Sequence, residues 1–456
     1  GGRISKLVDF IAGLNLRDVP SNLIEHTKMV ILDTLAVLLA ATGPNYSAGK
    51  ILAEYIKSIG GVKESTVIGR GFRTSCPNAA LINGTMGYYC DLDAHHPRAI
   101  LHAPAVVIPA ALAIGERQGS DGAEFLLSVI IGIDIACRVS LALNPRVLYD
   151  RGFHPTAICG GFGAAAAAAR ILQLSPRNMA IALGLAGNQA SGLLAWKQDS
   201  TEHSRPFNPG LAAHHGTVAA LLVSMGFGGP TDVFEGKYGI FKAYSDEEQA
   251  NPEQLVDKLG ERFLISELAF KRYACCAFLH PGLDALLALV KKHGIGPTDI
   301  KEIKLRFPRN GAHLIDGVEL RSHSAQYVFA VALLDHQFTI EDMLHDRLHE
   351  KAVAQLVERI QVVPDEELDS GYPQRYSSIV EIVTQKGPAL RSQVDYAKGT
   401  PENPFSRDDV KRKFFHLVQD ILSSPAAEQV YRRVMELESL EDVRDLTNLL
   451  SRPKRS

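Results

Sequence analysis

The chain has no uninterrupted run of the about 18 apolar residues that a membrane-spanning helix needs. Its first residues, Gly1-Gly2-Arg3-Ile4-Ser5-Lys6, contain no apolar signal-peptide segment. It lacks a strong charge of either sign: the formal net charge of −3 gives no long-range pull toward nucleic acid or an anionic membrane. An anionic ligand would therefore have to be held by local cations. Cysteine is sparse, and Cys76, Cys90, Cys137, Cys159, Cys275 and Cys276 form no C-x-x-C pair and no metal-site spacing. Reduced, buried thiols are expected, with no bound metal. Nucleotide signatures are missing too. Gly160-Gly161-Phe162-Gly163 follows no strand and lacks the G-x-G-x-x-G register. Gly69-Arg70-Gly71 and Gly226-Phe227-Gly228-Gly229-Pro230 lack the order of a phosphate loop, and no G-x-S-x-G nucleophile elbow is present. The basic tail Arg452-Pro453-Lys454-Arg455 is too short to argue for nucleic acid. These absences predict a soluble, cytoplasmic protein without nucleotide cofactor, nucleic acid or membrane partner, an organelle lumen staying open.

What is present is globular. At 456 residues, with 46% hydrophobic and 22% charged side chains, the chain is long enough for two or three domains. Ile24–Ala41, Gly122–Leu143, Ala164–Leu174 and Met179–Leu194 carry apolar residues at helical spacing and are rich in Ala and Gly. Small side chains let helices approach closely and leave pockets between them. Asp18-Val19-Pro20 and Ser175-Pro176-Arg177-Asn178 combine a capping side chain with proline and mark helix starts. After residue 265 the texture changes. Ile300–Phe307, Ile360–Val363 and Ser378–Thr384 read as strands, with Gln385-Lys386-Gly387 as a hairpin turn, and Ser324–Leu334 and Lys351–Ile360 read as helices. Lys398–Pro404 reads as a linker, and Asp408–Leu450 returns to amphipathic helix. The fold class expected is mainly α: an all-α domain from residues 1–265 and 405–456, with an inserted, smaller α+β domain over 266–404.

Candidate chemistry centres on histidines beside small residues and prolines. Leu101-His102-Ala103-Pro104 and Gly152-Phe153-His154-Pro155-Thr156 each place an imidazole at a turn that starts a helix of small side chains. Imidazole is the side chain that titrates near neutrality unperturbed, so acid–base work or anion binding is indicated. Asp91-Leu92-Asp93-Ala94-His95-His96 supplies two carboxylates and two imidazoles. Helix-end caps, a metal site and an active-site rim all fit that cluster; on the last reading one carboxylate orients an imidazole or meets substrate. Arg205, in a polar loop, offers a planar fork for a carboxylate. Lys271, Arg272 and His280 lie near the expected domain boundary, and His323 is followed one helical turn later by Tyr327, whose hydroxyl could donate to an oxyanion.

In this order the stretches resemble the MmgE/PrpD family of 2-methylcitrate dehydratases, cis-aconitate decarboxylases and iminodisuccinate epimerases. The resemblance rests on Asp91-Leu-Asp with His96 and Leu101-His102-Ala103; Gly152-Phe-His154-Pro-Thr; Arg205-Pro206 with Gly210-Leu-Ala-Ala; Lys271-Arg-Tyr-Ala-Cys-Cys with His280-Pro; and His323-Ser-Ala-Gln-Tyr327. It implies a homodimer whose α+β part acts as a lid over a cofactor-free site that binds a small polycarboxylate. It puts Asp93, His102, His154, Lys271 and Tyr327 on catalytic positions, and Arg205, His280, Asp91 and His96 against substrate. Arg205 stands where many relatives carry lysine, and Asn208 where histidine is frequent. Arginine keeps the charge but, with a pKa above about 12, cannot donate a proton. The activity implied is a dehydratase or decarboxylase. The rivals are an epimerase of a dicarboxylic amino or imino acid and a helical binding protein without chemistry.

Overall fold

The computed structural model describes residues 2–246 and 248–451; the basic tail lies outside them. The fold is mainly α. Its centre is Gly122–Leu143, a helix buried along nearly its whole length. Contrary to the sequence expectation, this helix is long and apolar enough by length and composition to cross a membrane. Here it is packed inside the protein, and its two central charges, Asp134 and Arg138, pair at 2.6 Å. Pro155–Ile171 crosses it where Gly163 meets the Gly132 carbonyl, so closely that any Cβ on Gly163 would collide with that oxygen. Ser204–Ser224 lies against Pro155–Ile171 and Cys76–Tyr89, and Ala103–Gln118 completes the layer. The small residues thus act as expected: they bring helix backbones together.

The expected helices appear as Ser21–Ala40, Gly122–Leu143, Pro155–Ile171 and Pro176–Gln189. One exception to the helical reading is a short hairpin, β1 (Ser65–Val67) with β2 (Phe72–Thr74). Its turn holds Gly69 and Gly71 at φ of 69° and 72°, so these glycines serve a tight turn. A four-stranded sheet follows, built from β3 (Ile300–Pro308), β4 (Ile360–Asp365), β5 (Ser378–Thr384) and β6 (Leu390–Val394) in the order β4-β3-β5-β6. β3 and β4 are parallel, and the helices Ala325–Asp335 and Lys351–Val357 lie in the connection that such pairing requires. The edge strand β6 had no sequence signal, because Leu390-Arg-Ser-Gln-Val is half polar and half exposed. The last segment is three helices rather than one: Arg407–Val418 and Ser424–Met435 lie on Ser21–Ala40, and Arg444–Leu450 touches Ala103–Gln118.

Candidate active site

Residues Tyr88 to His102 leave the Cys76–Tyr89 helix, make an irregular turn and enter the Ala103–Gln118 helix. Asp91 takes φ of 48°, a left-handed conformation that Asp tolerates better than most residues. His95 then exchanges two backbone hydrogen bonds with Ala269, so the chain two residues on delivers Lys271 beside the turn. Lys271 Nζ donates to Asp91 Oδ1 at 2.5 Å and to the Asp91 carbonyl at 3.1 Å. Burial works against the Lys271 ammonium, but Asp91 and Asp93 outweigh it and raise its pKa. Burial also opposes the charge on Asp91, yet Lys271 and Arg205 hold its carboxyl well below the usual range. This pair is charged.

His102 and His154 both immediately precede a helix, yet neither side chain caps it. His102 Nδ1 meets Asp93 Oδ2 at 2.9 Å. With Asp93 as the acceptor in that contact, Nδ1 carries the hydrogen and Nε2 is left for other work. The His102 backbone N–H donates to Thr156 Oγ1, tying the two helix starts together. His154 Nδ1 lies 3.2 Å from Asn208 Nδ2, an amide donor that makes Nδ1 the acceptor. Burial, reinforced by His102 and Arg205, pushes the His154 pKa well below its ordinary value.

A chamber lies between the helical part and the sheet-bearing part. Asp91, His102 and Lys271 reach its wall, with Asp93 directly behind His102. His154 does not line the chamber; it lies behind the rings of Tyr88 and Trp196, with centroids at 6.0 and 5.4 Å. Arg205 is fully buried behind Tyr88, its guanidinium 4.7 Å from that ring. It donates to Glu202 at 3.1 Å and to the Tyr88 and Tyr89 carbonyls at 3.2 and 3.0 Å. Tyr327 is elsewhere: its hydroxyl donates to the Asp342 and His345 carbonyls, inside the sheet-bearing part. His96 and His280 face a neighbouring cavity, which shares His95, Ala277 and Tyr376 with the chamber.

Sequence reasoning left several wall residues unassigned. His323 reaches the chamber where Tyr327 was expected, its Nδ1 bonded to Ser322 Oγ and 3.9 Å from Asp91 Oδ2. His95 stacks on His102 at 5.5 Å, and Tyr88 meets the same ring edge-on at 4.5 Å. Trp196, the single tryptophan of the chain, also reaches the wall, and only its rarity marked it in the sequence. Among the described residues, buried polar atoms without hydrogen-bond partners gather here: Asp91 Oδ2, Asp93 Oδ1, His95 Nδ1 and Trp196 Nε1. Such orphans are rare in folded proteins, and these four lie at or directly behind the chamber wall. No three His, Cys, Asp or Glu of the described residues converge as metal ligands would.

The MmgE/PrpD N-terminal domain matches residues 5–253 and the C-terminal domain residues 273–437. The chain belongs to the MmgE/PrpD family. Similar to it are a cis-aconitate decarboxylase-like protein of Aspergillus oryzae (26% identical over 99% of this chain and 98% of the relative) and the cis-aconitate decarboxylase of Aspergillus terreus (26%, over 100% and 97%). The Homo sapiens cis-aconitate decarboxylase is 29% identical over 97% of this chain and 93% of its own. This MmgE/PrpD member is an enzyme of the lyase type.

The buried imidazoles give it a pH signature. His95 and His154 are pushed well below their ordinary pKa, and His280 and His323 down to about 3, in each case chiefly by burial. Unfolded, each would take a proton near about 6.5. The unfolded chain therefore binds more protons below that pH, and stability is lost as pH falls from about 6.5 toward the folded values, by up to about 1.4 kcal/mol per pH unit for each group. Urea midpoints should drop between pH 7 and pH 5; a flat profile would show that these rings are already charged in the fold.

Proposed function

We propose that the protein decarboxylates a small unsaturated tricarboxylic acid such as cis-aconitate, without a cofactor, with His102 as the acid–base group. The observation that carries this reading is the Asp93–His102 pair at 2.9 Å, which leaves Nε2 of a chamber-wall imidazole for proton transfer beside the charged Lys271–Asp91 pair. Relatives named as cis-aconitate decarboxylases over nearly the full chain support the choice of acid.

Lys271 spends two of its three N–H groups on Asp91, and the third is free to hold a substrate carboxylate. The unpaired Trp196 N–H is a second donor. His102 takes a proton from solvent on Nε2; when the C–CO2 bond breaks, its electron pair passes into the neighbouring carbon framework, CO2 leaves, and the imidazolium gives that proton to carbon. Asp93 keeps the ring oriented and stabilises its charged form, as a carboxylate behind a catalytic imidazole does. Burial keeps the Tyr88 phenol and the Cys276 thiol protonated, the latter pushed up to about 11, so neither competes as a nucleophile. The sheet-bearing part, residues 266–404, would act as a lid that dries the chamber, and the assembly implied is a homodimer.

A polycarboxylate brings more negative charge than Lys271 can balance, since Asp91 already neutralises it. Binding is therefore expected to draw about one proton onto the neutral rings of His95 and His323, because a nearby anion raises an imidazole pKa. Calorimetry of a non-reacting tricarboxylate in two buffers of different ionisation enthalpy should read that uptake, with affinity falling as pH rises. Binding without uptake would place the charge balance elsewhere.

The activity itself is tested by proton NMR in D2O with cis-aconitate, citrate, 2-methylcitrate and iminodisuccinate. Loss of CO2 from cis-aconitate, with deuterium in the product, is the expected result. A second imidazole on the chamber wall, His323, favours epimerisation as the runner-up; that reading predicts deuterium at Cα with every carbon retained. An alkene from a hydroxy acid would indicate dehydration, and no exchange with any acid would leave a binding protein.

A further inference from the structure

Asp33 is out of place. It lies at the centre of Ser21–Ala40, between Leu32 and Thr34, in the most buried stretch of that helix and fully shielded from solvent. Its partner comes from the far end of the sequence: Lys413 Nζ, on Arg407–Val418, sits 2.6 Å from Asp33 Oδ1. A buried ion pair of this kind is a poor stabilising device, because well-packed apolar residues of similar volume do as well or better. Lys413 does one thing an apolar side chain could not do. It donates to the Leu92 carbonyl at 2.9 Å. That carbonyl lies between Asp91, which holds Lys271, and Asp93, which holds His102. The turn around it has no regular secondary structure, and Asp91 is held there in a left-handed conformation.

We infer that Lys413, made affordable by Asp33, is a positioning residue that fixes the peptide between the two site carboxylates and thereby sets the Asp93–His102 hydrogen bond. The C-terminal helices thus take part in the chemistry through one ammonium without touching the chamber. This rests on the reading of His102 as the acid–base group.

The test separates positioning from stability. Lys413→Met alone strands the Asp33 charge, so the comparison is made with both charges removed. Asp33→Leu/Lys413→Met removes both charges, and its thermal midpoint should return close to that of the parent protein. Its kcat should nevertheless fall about tenfold or more, with KM changing less, because small misplacements of a reacting group cost that much. Lys413→Arg, which can still reach the carbonyl, should recover most of the rate. Asp33→Asn/Lys413→Met serves the same purpose if leucine is not accommodated. A readout independent of substrate is the low-field Nδ1 proton of His102 in 15N-histidine-labelled protein, assigned by its loss in Asp93→Asn. It should broaden or shift upfield in the double variant and persist in Lys413→Arg. A stable double variant with parental kcat and an unchanged His102 signal would overturn the inference. If the parent protein turned over no acid in the panel, the functional reading would fail while the NMR comparison still decided the positioning role.

Discussion

Replacing His102 by alanine is expected to lower kcat by about 10²–10⁴-fold, the range a well-placed general acid or base supplies. His102 is the imidazole that both lines the chamber and is oriented by a carboxylate. Asp93→Asn should follow it closely, since an amide can hold the ring in the wrong tautomer and cannot stabilise the imidazolium. His154→Ala should cost less, because His154 reaches the chamber only past Tyr88 and Trp196. Steady-state rates of the three purified variants, each checked by circular dichroism, settle the order. Should His102→Ala keep most of the parental rate while His154→Ala loses it, the acid–base assignment moves to His154.

Arg205→Met is expected to be the most damaging substitution for stability, at about 3–5 kcal/mol, the cost of leaving a buried charge without its partner. The guanidinium serves Glu202 and two carbonyls of the Tyr88-Tyr89 pair at once, and Glu202 in turn accepts from the Ser322 backbone beside His323. Arg205→Lys should recover only part of the loss, because one ammonium cannot match a planar fork with that many acceptors. KM should change little in any variant that stays folded, since Arg205 does not line the chamber. Denaturant titration and steady-state kinetics together check this. An unchanged denaturation midpoint with a large rise in KM would return Arg205 to direct substrate contact, as the sequence suggested.

The comparison of Arg205 with Lys271 shows how far residue identity carries. Both are cations in recognisable motifs, and both read from sequence as carboxylate holders. Lys271 reaches the chamber because the His95–Ala269 bridge delivers it there, whereas Arg205 is used up inside the wall. Tyr327 and His323 make the same point at closer range. They sit on the same short segment, yet His323 faces the chamber while the Tyr327 hydroxyl is consumed by two carbonyls. Periodicity could not distinguish them, since i and i+4 share a helix face only when both lie in the helix, and His323 precedes Ala325–Asp335.

The sequence by itself determined the helical class, the strands β3, β4 and β5, the family, and the short list from which the site is drawn. These are local properties: apolar spacing, small residues at crossings, and motifs a few residues long. Only the tertiary structure decided which of these residues meet, that His102 rather than His154 is on the wall, and that Lys413 donates to the carbonyl between Asp91 and Asp93. The partners in those contacts lie tens to hundreds of positions apart, as with Lys271 and Asp91 or Lys413 and Leu92. Spacing along the chain records nothing about such pairs, because burial and hydrogen bonding are settled only once the helices close on one another.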